Sequence, residues 1–175
     1  MTITVRATPV NLSWDNFREV DSIPDADADG EVAQVNPEVS FPQNLRPQQQ
    51  PGGVFRLPDF TVTVAPNALN TMVLNTANKT DDLLRHEQGH YNLLVLVARA
   101  MARELQAATG TSAQDLGNQV QRIRTTHMNR AQTIDSTYDT RTNHGRDSDE
   151  QTRWNNLITA AMANPNATEI NGMTL

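Results

Sequence analysis

The sequence predicts an α+β fold: a small, mostly antiparallel sheet packed on one long helix, with two further helices completing the core. Three observations carry this. Strand-like alternation is confined to the first 78 residues, which also hold eight of the nine prolines. Helical periodicity fills residues 79–165. No internal repeat divides the chain, and 175 residues suit a single domain, with a β-rich part at 1–78 and a helical part at 79–165.

In chain order, "TITVRA" from Thr2, "EVAQVNPEVSF" from Glu31 and "FTVTVAP" from Phe60 alternate as half-buried strands do. "TMVLN" near Met72 reads as a hairpin partner, and "PQNLRPQQQPGG" at 42–53 is too densely punctuated by proline and glycine for regular structure. Thr80 is the expected N-cap of the long helix, and Asp81 and Asp82 place negative charge in its first turn, where the helix dipole favours it. That helix is expected to run to about Ala108 and stop at Gly110. Leu83, Leu94, Val97, Met101 and Leu105 form one stripe, and His86 and His90 fall on it. A second helix begins near Thr111 or Ser112, carries Leu116, Val120, Ile123, Ile134 and Tyr138, and packs antiparallel because the turn before it is short. After the loop "TRTNHGRDSD", a third helix is capped by Ser148, with Gln151 three residues on, and presents Trp154, Leu157, Ile158 and Met162.

Composition excludes several functions. A net charge of −6 argues against nucleic acid or an anionic membrane as partner. Cysteine is absent, which removes disulfides and thiolate chemistry and leaves His, Asp or Glu as metal ligands. No apolar stretch approaches the length of a membrane span. The opening "MTITVRATPV" has no basic segment followed by an apolar run, so no signal peptide is read there.

Residues 86–90, "HEQGH", follow the pattern H-E-x-x-H. On a helix, residues four apart lie on one face, about 6 Å apart along the axis. Two imidazoles so placed converge on one tetrahedral zinc, with Zn–N about 2.0–2.1 Å, while Glu87 points aside to act as general base on an activated water. The competing reading is a chance match, with His86 and His90 as satisfied core-edge histidines. The metal reading is preferred because two unpartnered imidazoles on a buried stripe are costly. Gly89 costs about 1 kcal/mol of helix stability relative to alanine, which another segment crossing close to the helix would explain.

A catalytic zinc wants a third protein ligand. Glu104 is about 21 Å beyond His90 by helical rise and cannot close the site. Counting back from the turn near Gly110, the level of the two histidines matches roughly residues 131–135 of the second helix, which puts His127 about a turn too low. His144, in a loop that Gly145 can hinge back over the metal, is the better candidate, against a solvated loop histidine.

These residues carry a resemblance. "HEQGH" followed by "YDTRTNHG" (Tyr138 to Gly145), with Gln151 and Trp154 behind it, resembles bacterial domain-of-unknown-function family 922, whose members are predicted to be secreted zinc-dependent proteases. The opening "NLSWDNF" is similar to that family's L-x-W-x-x-F segment, and the likeness is weakest between Ser22 and Leu57. The resemblance implies His86, His90 and His144 as zinc ligands, Glu87 as general base, and Tyr138 and Asp139 lining or bracing the site. It also implies a secreted or periplasmic protein, for which the opening segment shows no leader. Asp139 suits an acceptor that orients a ligating imidazole. Tyr138 suits a donor to a developing oxyanion, and equally a core residue.

"DADADGEVAQVN" (Asp25 to Asn36) offers Asp25, Asp27 and Asp29 as calcium ligands in an EF-hand-like order. An acidic solvated loop competes with it, since the twelfth position is Asn36 and the flanks are not helical.

Taken together, the expectation is a zincin-like, zinc-dependent hydrolase acting on a peptide or protein, with zinc polarising the carbonyl and activating the water and Glu87 moving the proton. An exposed edge strand, "FTVTVAP", would hold the extended substrate. The alternative is a catalytically inactive metal-binding module of the same shape, used for protein interaction.

Overall fold

A computed structural model describes residues 2–24 and 31–175 of the chain. The proposed calcium ligands Asp25, Asp27 and Asp29 lie outside the described residues. The order of elements is β1 (Ile3–Ala7), β2 (Arg18–Val20), β3 (Ala33–Gln34), β4 (Pro37–Ser40), β5 (Gln48–Gln49), β6 (Phe55–Arg56), β7 (Phe60–Pro66), β8 (Met72–Leu74), α1 (Asp81–Ala107), α2 (Ala113–Thr142), α3 (Ser148–Ala163), β9 (Glu169–Ile170) and β10 (Met173–Thr174). The architecture is α+β, with three helices and small mixed sheets.

Those sheets are less antiparallel than expected. One has the order β1-β7-β4, with β7 parallel to β1 and antiparallel to β4. The other has the order β2-β8-β3, with β8 parallel to β2 and antiparallel to β3. Met72–Leu74 is therefore no hairpin partner of β7, although it follows soon after it. "FTVTVAP" is a central strand and not an edge, and Val62 and Val64 are fully buried on it. Alternation in sequence reports which face of a strand is buried but not which neighbour it pairs with or in which direction. Within the expected loop at 42–53, Gln48–Gln49 forms β5 and pairs with β6 (Phe55–Arg56) in a short hairpin.

Helix α1 begins as its sequence indicates, with the Thr80 hydroxyl accepting from the Leu83 amide at 3.2 Å. It is the axis of the molecule. Leu93, Leu96 and Val97 face α2, α3 and the C-terminal hairpin. Met101 and Leu105 meet Ile3, Val62, Leu116 and Ile123. Tyr91, Val95 and Ala98 meet Leu12, Phe17, Val64 and Val73 of the β-rich part. A helix covered on every side in its middle carries apolar residues all round, which is why residues 93–98 read "LLVLVA". No helix among the described residues is long and apolar enough to cross a membrane.

Helix α2 starts with the Ser112 hydroxyl accepting from the Asp115 amide and continues to Thr142, into the stretch from Thr140 expected as loop. This last turn is polar. Its hydroxyls are satisfied along the helix, Thr140 donating to the Ser136 carbonyl and Thr142 to that of Tyr138, both at 2.8 Å. Asn143 then closes the helix in the left-handed conformation, with φ 49°. Asp147, not Ser148, caps α3, its carboxylate accepting from the Asp149 and Glu150 amides at 3.1 and 3.0 Å.

Candidate metal centre

One turn of α1 carries His86, Glu87 and His90, all buried. The imidazole Nε2 atoms of His86 and His90 are 3.2 Å apart. From α2, Asp139 brings its Oδ1 to 3.1 Å from His86 Nε2 and 2.9 Å from His90 Nε2. The remaining ring nitrogens are occupied on the far side. His90 Nδ1 lies 2.6 Å from Asp135 Oδ1, and His86 Nδ1 lies 3.0 Å from Gln151 Oε1. Both acceptors call for an N–H at Nδ1, which leaves the two Nε2 lone pairs facing one point together with a carboxylate oxygen.

Three electron-rich atoms so close repel unless a cation or protons lie among them. Tetrahedral bonds of about 2.0–2.1 Å need donors roughly 3.3–3.4 Å apart, so the cluster lies within a few tenths of an ångström of what zinc requires. The electrostatics favour positive charge. Burial works to raise the Asp139 carboxyl, but its bonds to His86 and His90 outweigh that and hold it well below the ordinary carboxylate range. Burial likewise opposes a charge on His90, and hydrogen bonds to Asp135 and Asp139 overcome it, raising the group well above an ordinary imidazole. A site that attracts protons this way exchanges them for a divalent ion when one binds.

Glu87 is the fourth member. Burial raises its carboxyl above the usual range, against the opposing pull of His90, His86 and a 2.7 Å bond from the Val35 amide to its Oε2. It lines a cavity of about 260 Å³ with His86, Asp139, His144 and Gly145. On the other side of the cluster a cavity of about 280 Å³ is walled by Val35, Pro37, His90, Leu93, Leu94 and Asp135. The edge strand β3 and the residues flanking it contribute to both cavities.

The segment crossing at Gly89 is Tyr138: a Cβ on residue 89 would lie 2.2 Å from the tyrosine hydroxyl. Tyr138 is fully buried and stacks on His86 with ring centroids 4.9 Å apart. Its hydroxyl donates to the His86 carbonyl at 3.2 Å and accepts from Gln151 Nε2 at 2.6 Å. It does not line the cavity that Glu87 faces. A bracing position behind the imidazoles follows, in place of the oxyanion donor that sequence allowed. Gly145, with φ 77°, lets the loop after α2 close on the same ring, where a Cβ would come within 2.9 Å of His86 Cγ.

His144 sits in that loop beside the cluster. Its side chain is 22% exposed and its Nδ1 lies 3.7 Å from Asp139 Oδ1, so it borders the donors without being one of the three that converge. His127 is away from the centre, with Nε2 2.8 Å from Glu104 Oε2. Asp135 and Gln151 were not singled out as site residues by sequence. The helix count pointed to 131–135 as the level of the histidines, and Asp135 is the only acid in that window. Gln151 enters the sequence reading only as a helix N-terminal residue and as one of the residues behind the motif that carry the resemblance, with no role at the site.

Fold and site together define an α+β protein with a His–His–Asp donor cluster, its histidines buried and Asp139 half-buried, beside a buried glutamate. Residues 28–145, more than half of the chain, match the profile of a family described as "Bacterial protein of unknown function (DUF922)", and the chain belongs to that family. The match takes in β3, the "HEQGH" turn, Asp139 and His144, and ends before α3. No curated protein and no solved structure matches the chain.

Proposed function

We propose that the protein is a zinc-dependent hydrolase of the zincin type, acting on peptides. The observation that carries this is the convergence of His86 Nε2, His90 Nε2 and Asp139 Oδ1 at separations of 3.2, 3.1 and 2.9 Å, with Glu87 buried on the same helical turn. When bound there, zinc supplies a Lewis acid for a substrate carbonyl and a water made more acidic. Asp135 and Gln151 orient the two imidazoles. Asp139 supplies negative charge, and His144 stands at the open side. Glu87, raised by burial, is suited to take a proton from the attacking water and deliver it to the leaving amine. An extended peptide would lie along β3, the edge strand between the two cavities, by strand addition. "FTVTVAP", as the central strand β7, has no free edge for this part.

One contact favours a rival reading, a metal-binding module without turnover: the Val35 amide already occupies one oxygen of Glu87. Glu87→Gln separates the two. Zinc stoichiometry by elemental analysis should be unchanged, and cleavage across a peptide library should fall by about 10²–10⁴-fold. Zinc-loaded wild type that cleaves nothing, or cleaves no better than Glu87→Gln, leaves the inactive module. Wild type that refuses zinc ends both.

A further inference from the structure

His86, on α1, is gripped by residues from both of the other helices. Its Nδ1 meets Gln151 Oε1 of α3 at 3.0 Å, its ring stacks on Tyr138 of α2, and its carbonyl accepts from the Tyr138 hydroxyl. Gln151 closes the ring of bonds by donating to that same hydroxyl at 2.6 Å. Its second amide hydrogen goes to Asn155 Oδ1 at 2.9 Å. With the Tyr138 hydroxyl donating to the His86 carbonyl and Asn155 presenting Oδ1, both neighbours of Gln151 Nε2 accept, which matches Oε1 turned to the imidazole. Gln151 is buried, so water cannot substitute for it.

A buried carbonyl oxygen facing Nδ1 demands a proton on that nitrogen. Asp139 alone would not do this: its oxygen, 3.1 Å from Nε2, is equally content with the opposite tautomer, in which Nε2–H donates to it and no lone pair is left for a metal. On His90 the corresponding choice is made by a carboxylate, Asp135. On His86 it falls to a neutral amide from α3.

We infer that Gln151 is a positioning residue for the metal centre, holding His86 as the Nδ1–H tautomer so that its Nε2 lone pair faces His90 and Asp139. The inference rests on the metal reading above. It also makes zinc affinity depend on the docking of α3, which Trp154 and Ile158 anchor in the core.

The test compares wild type, Gln151→Met and Gln151→Glu. Methionine keeps the volume and removes both polar ends; glutamate keeps an oxygen for Nδ1. Zinc affinity is read by competition with a chromophoric chelator, and the protonation of His86 by ¹⁵N NMR of the zinc-loaded and metal-free proteins. Gln151→Met should lose about 10–100-fold in affinity, the range seen when a partner behind a ligating histidine is removed. It should also lose the slowly exchanging Nδ1 proton of His86, and Gln151→Glu should restore both. A merely structural glutamine would not move the imidazole signal, nor be rescued by glutamate. Gln151→Met binding zinc within twofold of wild type overturns the inference and leaves the metal reading standing. Wild type that binds no zinc overturns the metal reading, and the inference with it. If Gln151→Met fails to fold, the wild-type spectrum decides: a zinc-loaded His86 with a proton on Nδ1 supports the inference, and a bare Nδ1 overturns it.

Discussion

Gly89→Ala sets local preference against tertiary packing. On an isolated helix the change stabilises by about 1 kcal/mol. Here the new methyl group would lie 2.2 Å from the Tyr138 hydroxyl, 2.6 Å from Cζ and 3.0 Å from Cε1. The phenol must retreat by roughly 1 Å to reach ordinary contact. It has little room, because Trp154 packs against it with ring centroids 5.3 Å apart and both residues are fully buried. Overpacking of this kind costs about 1–3 kcal/mol. Retreat also lengthens the bonds to the His86 carbonyl and Gln151, at about 1 kcal/mol each. Offset by the helix preference, the net loss is about 3 kcal/mol, a melting shift of about 6–12 °C for a chain of this size. Urea denaturation of the metal-free protein, followed by far-ultraviolet circular dichroism, measures it. Tyr138→Phe removes the nearest clashing atom, so the double variant should show a coupling of at least about 1 kcal/mol. A Gly89→Ala protein as stable as wild type, or more so, refutes the reasoning, since helix preference alone would then have decided the outcome.

Zinc at about 100 times its dissociation constant should stabilise the native state by about 2.7 kcal/mol, visible as a rise in melting temperature that a chelator reverses. The double variant His86→Ala/His90→Ala should show no rise, and a wild type indifferent to zinc contradicts the metal centre. Asp139→Ala should lower zinc affinity by more than about 100-fold and His144→Ala by less than about tenfold; the reverse order in a chelator competition makes the loop imidazole the third ligand. His127 is buried with no partner for Nδ1 among the described residues, and burial holds its pKa below the ordinary value against the pull of Glu104. The native state then declines a proton that the unfolded chain accepts below about pH 6.5, so this contribution is present above that pH and is lost as the pH falls toward the folded value. His127→Gln should remove a slope of at most about 1.4 kcal/mol per pH unit, and denaturation midpoints at pH 7.5 and 5.5 that fall equally in both proteins would count against it.

What was legible in sequence was local. The cap at Thr80, the acidic first turn and the two histidines four residues apart depend on neighbours within a turn or two, and α1 follows them. Gly89 betrayed a close crossing because a glycine inside a capped helix has a cost that something must offset. Counting along two antiparallel helices also put Glu104 and His127 away from the histidine pair. Those counts give height along a helix but not rotation about its axis. Where Asp139 points depends on how Tyr138, one residue earlier, seats over Gly89, and that is a matter of packing. The polar residues 140–142 look like loop in sequence because threonine hydroxyls that bond back along a helix are indistinguishable there from solvated ones.

The amino-acid order by itself determined that a buried helix would present two imidazoles one turn apart with a glutamate beside the first, because helical period and capping are short-range properties. Only the tertiary structure decided what meets them. Strand direction, the central place of β7, the Asp135 and Gln151 bonds that turn each imidazole, and the Asp139 oxygen between the two rings all join residues far apart in the chain. Their relative register is set by the close packing of Tyr138, Trp154 and the α1 core, which no stretch of sequence contains alone.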